Sequence, residues 1–125
     1  MAEAGVKHDT EKLRYDLLPP EALEALAEVY TIGATKYGDN NYLRGMDWNR
    51  IYGAMVRHLQ AFWQGESFDK EDGQHHLAAV AWCAFTLLVY ERRGIGVDNR
   101  PNTILAQGEI REILQARKED LDGAS

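Results

Sequence analysis

The chain has 125 residues, 45% hydrophobic and 27% charged, which suits one globular domain with a modest core. Its net charge of -6 argues against a sequence-independent nucleic-acid binder, which needs a basic footprint. A nucleotide substrate stays open, because bound divalent cations offset local acidic charge.

The lone cysteine, Cys83, excludes an internal disulfide and a cysteine-pair metal site. It lies in an apolar run and reads as a small buried hydrophobe. The polar start, 1–12, does not read as a signal peptide. The longest apolar stretch, 77–90, is shorter than the ~20 residues of a membrane span. These features lead us to expect a cytoplasmic protein with no membrane or nucleic-acid partner.

In chain order, the charged segment 7–18 runs into Pro19-Pro20, and proline suits the first turn of a helix. A first helix is expected from about Glu21 toward Lys36, with Leu23, Leu26, Val29, Tyr30 and Ile32 near helical spacing. Gly38-Asp39-Asn40-Asn41 and Gly45 mark a loop over 37–47. Asp47 then reads as the N-cap of a second helix from Trp48, striped by Ile51, Met55, Leu59, Phe62 and Trp63 and ended by Gly65. A third helix is expected from Asp69 as N-cap, with Asp72 completing a variant capping box, through an apolar middle to Arg93 and Gly94. After a loop, Thr103 reads as the cap of a last amphipathic helix carrying Ile104, Leu105, Ile110, Ile113 and Leu114, with 120–125 frayed. No strand pattern competes. The expectation is an all-α bundle of about four helices, one domain over 1–125, that oligomerises to complete its core.

Glu66, Asp69, Glu71 and Asp72 crowd one junction, followed at once by His75 and His76. Hard oxygen ligands at this density suit Mg2+ or Mn2+. Asp69 and Asp72 also sit where a helix N-terminus favours negative charge by itself. Glu66 does not, because it follows Gly65 at the unfavourable end of the second helix, and that placement points to a cation. His75 and His76 are adjacent and cannot face the same way, so one is expected at the surface. His76 is a candidate ligand or base.

A basic set, Lys7, Lys12, Arg14, Lys36, Arg44, Arg50 and Arg57, lies near the loops and suits an anionic, phosphate-bearing substrate. Lys36 stands out because it abuts the glycine loop. His58 reads as a hydrogen-bonded, buried histidine. The aromatic groups Tyr37, Tyr42, Trp48 and Tyr52 suit either purine stacking or packing. Walker A, Rossmann, serine-elbow and zinc-deaminase motifs are all missing.

Four linked stretches carry a resemblance over about 7–100. They are Lys12-Leu13-Arg14-Tyr15-Asp16-Leu17-Leu18-Pro19, Gly33-Ala34-Thr35-Lys36-Tyr37-Gly38 with Asn41, the run from Arg57-His58 to Gly65-Glu66, and Asp69-Lys70-Glu71-Asp72-Gly73 leading into His76-Leu77-Ala78. The sequence resembles the phage dATP/dGTP diphosphohydrolases, relatives of the all-α MazG-type nucleotide pyrophosphohydrolases. Two positions depart from the family pattern: Tyr42 stands where tryptophan is usual, and Ala79 where a second histidine is common.

The resemblance implies hydrolysis of a purine deoxynucleoside triphosphate to the monophosphate and pyrophosphate. A likeness to the MazZ enzymes implies dGTP to dGMP, for a phage 2-aminoadenine pathway. It further implies two or more Mg2+ or Mn2+ ions on Glu66, Asp69 and Glu71 or Asp72, with Glu66, Lys36 and His76 as the catalytic set. Arg14, Lys36 and Arg57 would take the phosphates, and Tyr37, Asn41 and Trp48 the base and sugar. Asp98 and Arg100 would close the pocket of a dimer or tetramer. Two alternatives stand beside this reading: a non-catalytic nucleotide-binding regulator, and an HD-type triphosphohydrolase.

Overall fold

Pro19 and Pro20 open the first helix, α1 (Pro20–Tyr37), where a missing N–H is harmless. Lys36 lies in its last turn, and the helix stops at Gly38, whose φ of 91° favours glycine. The computed structural model describes residues 4–101 and 107–124, and all regular structure there is helical. The other helices are α2 (Trp48–Trp63), α3 (His76–Arg93) and α4 (Gln107–Ala124), with short 3-10 turns at Tyr15–Leu17 and Asn41–Arg44. Isolated backbone bridges pair Asp47 with Val97 and Phe68 with His75. No helix among the described residues is long and apolar enough to cross a membrane.

The chain divides into two compact units, 19–104 and a second made of 1–18 with 105–125. In the first, α3 packs against both α2 and α1. Trp48, Ile51, Cys83 and Tyr90 are the buried centre, flanked by Tyr42, Met46, Met55, Trp82 and Leu87. Tyr90 donates its hydroxyl to the Tyr42 carbonyl. The rings of Tyr30, Tyr42 and Trp82 meet edge-on or tilted at 5.7 to 6.4 Å, a favourable arrangement for aromatic quadrupoles.

Three sequence expectations are corrected. The α3 helix starts at His76, not after Asp69. Asp69 and Asp72 do accept backbone N–H groups, but as local turns: Asp69 Oδ1 takes Glu71 N–H at 2.8 Å and Asp72 Oδ1 takes Gln74 N–H at 3.0 Å. Gly73, at φ 73°, reverses the chain between them and α3. The true cap is His75, whose Nδ1 accepts Leu77 N–H at 3.0 Å.

Asp47 occupies the cap position of α2, yet its side chain makes no cap hydrogen bond. Asn99 supplies it instead, accepting Asn49 N–H at 3.0 Å, while the Val97 carbonyl accepts Trp48 N–H at 3.0 Å. A segment far along the chain thus satisfies the first-turn donors of α2.

In the second unit, α4 extends to Ala124. Ile110 and Leu114 are half-buried on α4, while Ile113 is 47% exposed. The expected cap Thr103, with Ile104 and Leu105, lies outside the described residues.

Candidate functional site

A cleft of about 870 Å³ opens in the 19–104 unit, well matched to a nucleotide-sized ligand. Its walls come from the end of α1 and the loop after it (Lys36, Tyr37, Asp39, Asn41), from α2 (Arg50, Ala54, His58), from the α2–α3 loop (Asp69, Asp72, Gln74) and from α3 (Ala79, Trp82, Cys83). Two formal cations and three carboxylates therefore share one concave surface with the aromatic rings of Tyr30, Tyr42 and Trp82.

Two histidines at one edge are joined. His58 Nδ1 and His76 Nδ1 are 2.8 Å apart, and His76 Nε2 lies 2.8 Å from Glu66 Oε1. The hydrogen-bond network assigns the tautomers. A carboxylate oxygen only accepts, so His76 donates from Nε2. Its Nδ1 is then the lone-pair nitrogen, and it accepts the Nδ1–H of His58. Asp69 Oδ2 stands 3.9 Å from the same His58 nitrogen. His76 is only 5% exposed, and its backbone N–H is held by the Ser67 carbonyl at 2.8 Å.

The loop that delivers Asp69 is tied down by its own backbone. Asp69 N–H reaches the Gln74 carbonyl and Gly73 N–H reaches the Asp69 carbonyl, both at 2.8 Å. On the far side of Glu66, Lys70 Nζ lies 3.7 Å from Oε2.

Of the residues singled out in the sequence, the fold brings Lys36, Tyr37, Asn41, Asp69 and Asp72 to the cleft wall. Glu66 stands behind His76 rather than on the wall. Glu71 and Arg57 are exposed and outside the lining. Trp48 belongs to the core: it is 8% exposed, and its indole N–H donates to the Ile95 carbonyl at 3.0 Å. Arg14 lies in the other unit, in a two-point pair with Asp16 at 2.7 Å. Neither His75 nor His76 is at the surface: His76 is buried, and His75 is half-buried with its ring beside Phe62 and Phe68. Asp98 and Arg100 also lie outside the lining and pair with each other.

His58 is expected to be buried and hydrogen-bonded; it is hydrogen-bonded, to the other histidine, but only half-buried, because it lines the cleft. The signal was present: His58 continues the α2 face of Ile51 and Ala54, where an apolar side chain would serve packing better. Arg50, one of the basic set, also lines the cleft, whereas Asp39 and Gln74 carried no such signal.

Burial pushes the Cys83 thiol up to about 11, only weakly opposed by Arg57, so it stays neutral and is no nucleophile near neutral pH. Burial likewise raises the Tyr30 phenol above its ordinary value.

Residues 2–100 match the family described as dATP/dGTP diphosphohydrolase, N-terminal, and the chain belongs to that family. It is similar to the dATP/dGTP diphosphohydrolase of Salmonella phage PMBT28, with 35% identity over 77 residues. That match covers 62% of this chain and 26% of the relative, so the chain spans about a quarter of the relative's length. No solved structure matches it.

Proposed function

We propose that this protein hydrolyses a purine deoxynucleoside triphosphate, dGTP or dATP, to the monophosphate and pyrophosphate, with dGTP to dGMP for a phage 2-aminoadenine pathway as the specific form. The observation that carries the reading is the cleft itself, which gathers Lys36 and Arg50 with Asp69, Asp72 and an aromatic floor. Family membership supports the substrate class.

The chemistry follows from these groups. Water attacks the α-phosphorus and gives up a proton to a cleft carboxylate, Asp69 or Asp72, as the bond from that phosphorus to the α–β bridging oxygen breaks. Lys36 and Arg50 offset the negative charge that moves onto the departing pyrophosphate. Tyr37, Asn41 and the floor rings hold the base and sugar by stacking and hydrogen bonding.

The donor set fits a divalent cation. Asp69 uses Oδ1 on Glu71 N–H, which leaves Oδ2 available, and the Asp72 carboxylate keeps lone pairs beyond those used on Gln74. Mg2+ or Mn2+ held there would neutralise phosphate charge and acidify a bound water.

We further propose a MazG-type bundle that assembles as a dimer or tetramer in the cytoplasm. Its support is a thin core beside exposed apolar groups such as Trp63, at 86% exposure, and Leu88, at 59%.

The test is incubation of the purified chain with dGTP or dATP and Mg2+ or Mn2+. Chelator-sensitive release of pyrophosphate and monophosphate is expected. Inorganic phosphate alone would remove the reading, and intact triphosphate would move it to a triphosphohydrolase. Saturable nucleotide binding without product would leave a regulator.

A further inference from the structure

We infer that His58, His76 and Asp69 form a transition-metal site of two imidazole nitrogens and one carboxylate oxygen, selective for ions such as Mn2+ and Co2+ over Mg2+. The inference deepens the proposed function, since His58 and Asp69 open on the same cleft, and the ion's role there rests on that reading.

The first argument is distance. One atom from each side chain lies within 4.8 Å of the other two. The two Nδ1 atoms are 2.8 Å apart, and His58 Nδ1 to Asp69 Oδ2 is 3.9 Å. Ligands ~2.1 Å from one cation stand about 3.0 Å apart at a right angle and about 4.2 Å apart across it. To seat the cation the imidazoles open by a few tenths of an ångström and the widest pair, within 4.8 Å, draws in to about 4.2 Å.

The second argument is orientation. A metal-bound imidazole commonly donates its other N–H to a carboxylate, which fixes the tautomer and turns the free lone pair toward the ion. Glu66 does this to His76: Oε1 takes the Nε2 proton at 2.8 Å and leaves the Nδ1 lone pair facing His58 and Asp69. Asp69 is prepared in the same way, with Oδ1 engaged by Glu71 N–H at 2.8 Å while Oδ2 faces His58.

The third argument is rigidity. His58 comes from α2, His76 is the first residue of α3, and Asp69 sits on a loop closed by two backbone hydrogen bonds. Three protein ligands leave positions open for water or phosphate oxygen, as catalytic rather than structural sites do. The donor chemistry then selects the ion. Imidazole favours first-row transition metals, whereas Mg2+ prefers oxygen alone and keeps its waters. Binding requires the His58 proton to move from Nδ1 to Nε2, so that both Nδ1 lone pairs face the ion and both imidazoles stay neutral. On this assignment Glu66 is a positioning residue and not a ligand.

The experiment uses the full chain, stripped with chelator and free of nucleotide, titrated separately with Co2+, Mn2+ and Mg2+ by calorimetry and, for Co2+, by visible absorption. One Co2+ per chain is expected, with nitrogen-ligand absorption bands and an affinity at least tenfold above that for Mg2+. His58→Asn and Asp69→Asn should each weaken Co2+ at least tenfold. Glu66→Gln should weaken it about tenfold and perturb the bands. Because His76 is buried, His76→Asn is read only alongside its helical circular dichroism, and the half-exposed His58→Asn decides if that variant fails to fold. The inference is overturned if Co2+ does not saturate, if Mg2+ binds as tightly, or if His58→Asn binds Co2+ like the parent. Loss of the inference and loss of the reading look different. Co2+ binding at parent affinity in His58→Asn, with chelator-sensitive pyrophosphate release by the parent chain, removes the site and keeps the hydrolase. Tight, His58-dependent Co2+ binding with no turnover of any nucleotide keeps the site and removes the hydrolase.

Discussion

The loop 64–75 and the loop 94–100 each carry an acid–base pair, yet only the first is linked to the cleft, through His58. In the first, Glu66 holds His76 at 2.8 Å, and His76 passes the contact on to His58 in the cleft wall. In the second, Asp98 grips Arg100 through two bonds of 2.8 and 2.7 Å, and the guanidinium lies 5.0 Å above the Trp48 ring. Arg100 has its pKa raised first by that hydrogen bond, which keeps it firmly charged as a clamp over the core. The same segment satisfies the start of α2 through Val97 and Asn99. A charged pair beside a loop therefore says little about function until the far partner is known. The first pair reaches a cavity through His58, and the second closes on an indole.

Substitutions in the two loops should separate these roles. Asp69→Asn removes a cleft carboxylate without shortening the side chain, so the Asx turn to Glu71 survives. Turnover should fall about 10³-fold, the loss of one well-placed electrostatic group, with thermal melting nearly unchanged. A variant within tenfold of the parent would take Asp69 out of the site. The counterpart in the other loop is Gly96→Ala. Gly96 has φ 74°, and an added Cβ would collide with the Met46 carbonyl oxygen. Strain and overpacking together should cost about 3 kcal/mol in denaturant titration, while activity per folded molecule stays at the parent level. Lost specific activity in the folded fraction would join this loop to the cleft.

The comparison also explains what was legible in the sequence. Helix existence was, because Ile51, Met55 and Phe62 or Leu23, Leu26 and Tyr30 recur at helical spacing. The start of α3 was not: an aspartate that caps a helix and an aspartate that closes an Asx turn use the same residue in the same short-range bond. The cleft positions of Asp69 and Lys36 were legible because their neighbours form loops rich in charge and glycine. The His58–His76 contact was not, since it spans two helices and no local spacing encodes it. Trp48 was legible only as an aromatic near a loop, and its indole N–H turned out to serve the Ile95 carbonyl.

Cys83 lies between the two regions, buried in the core and on the cleft floor. Its thiol is raised from 9.0 to about 11 by burial. A raised acid group contributes stability that is complete below the unfolded value and is lost as pH climbs toward the folded one. Stability should therefore fall between pH 9 and about 11, by up to about 3 kcal/mol from this group. Cys83→Ala should flatten that part of the profile. An equal slope in the variant would assign the loss to other groups. In the native state the thiol should also resist alkylation at pH 8.

The smallest effect gives the finest separation of cap from charge. Asn99→Ala removes the acceptor that holds Asn49 N–H and should cost about 1 kcal/mol of stability. Asp47→Ala removes no cap hydrogen bond. It forfeits only a carboxylate near the positive end of α2, about 0.5 kcal/mol. Salt tells the two apart: at 1 M the Asp47 contribution is screened away, whereas the Asn99 bond is short-range and persists. If the two substitutions show the same salt dependence, the loop 94–100 acts on α2 through its charge rather than through Asn99, and its contrast with the cleft loop narrows to the bridge between Arg100 and Trp48.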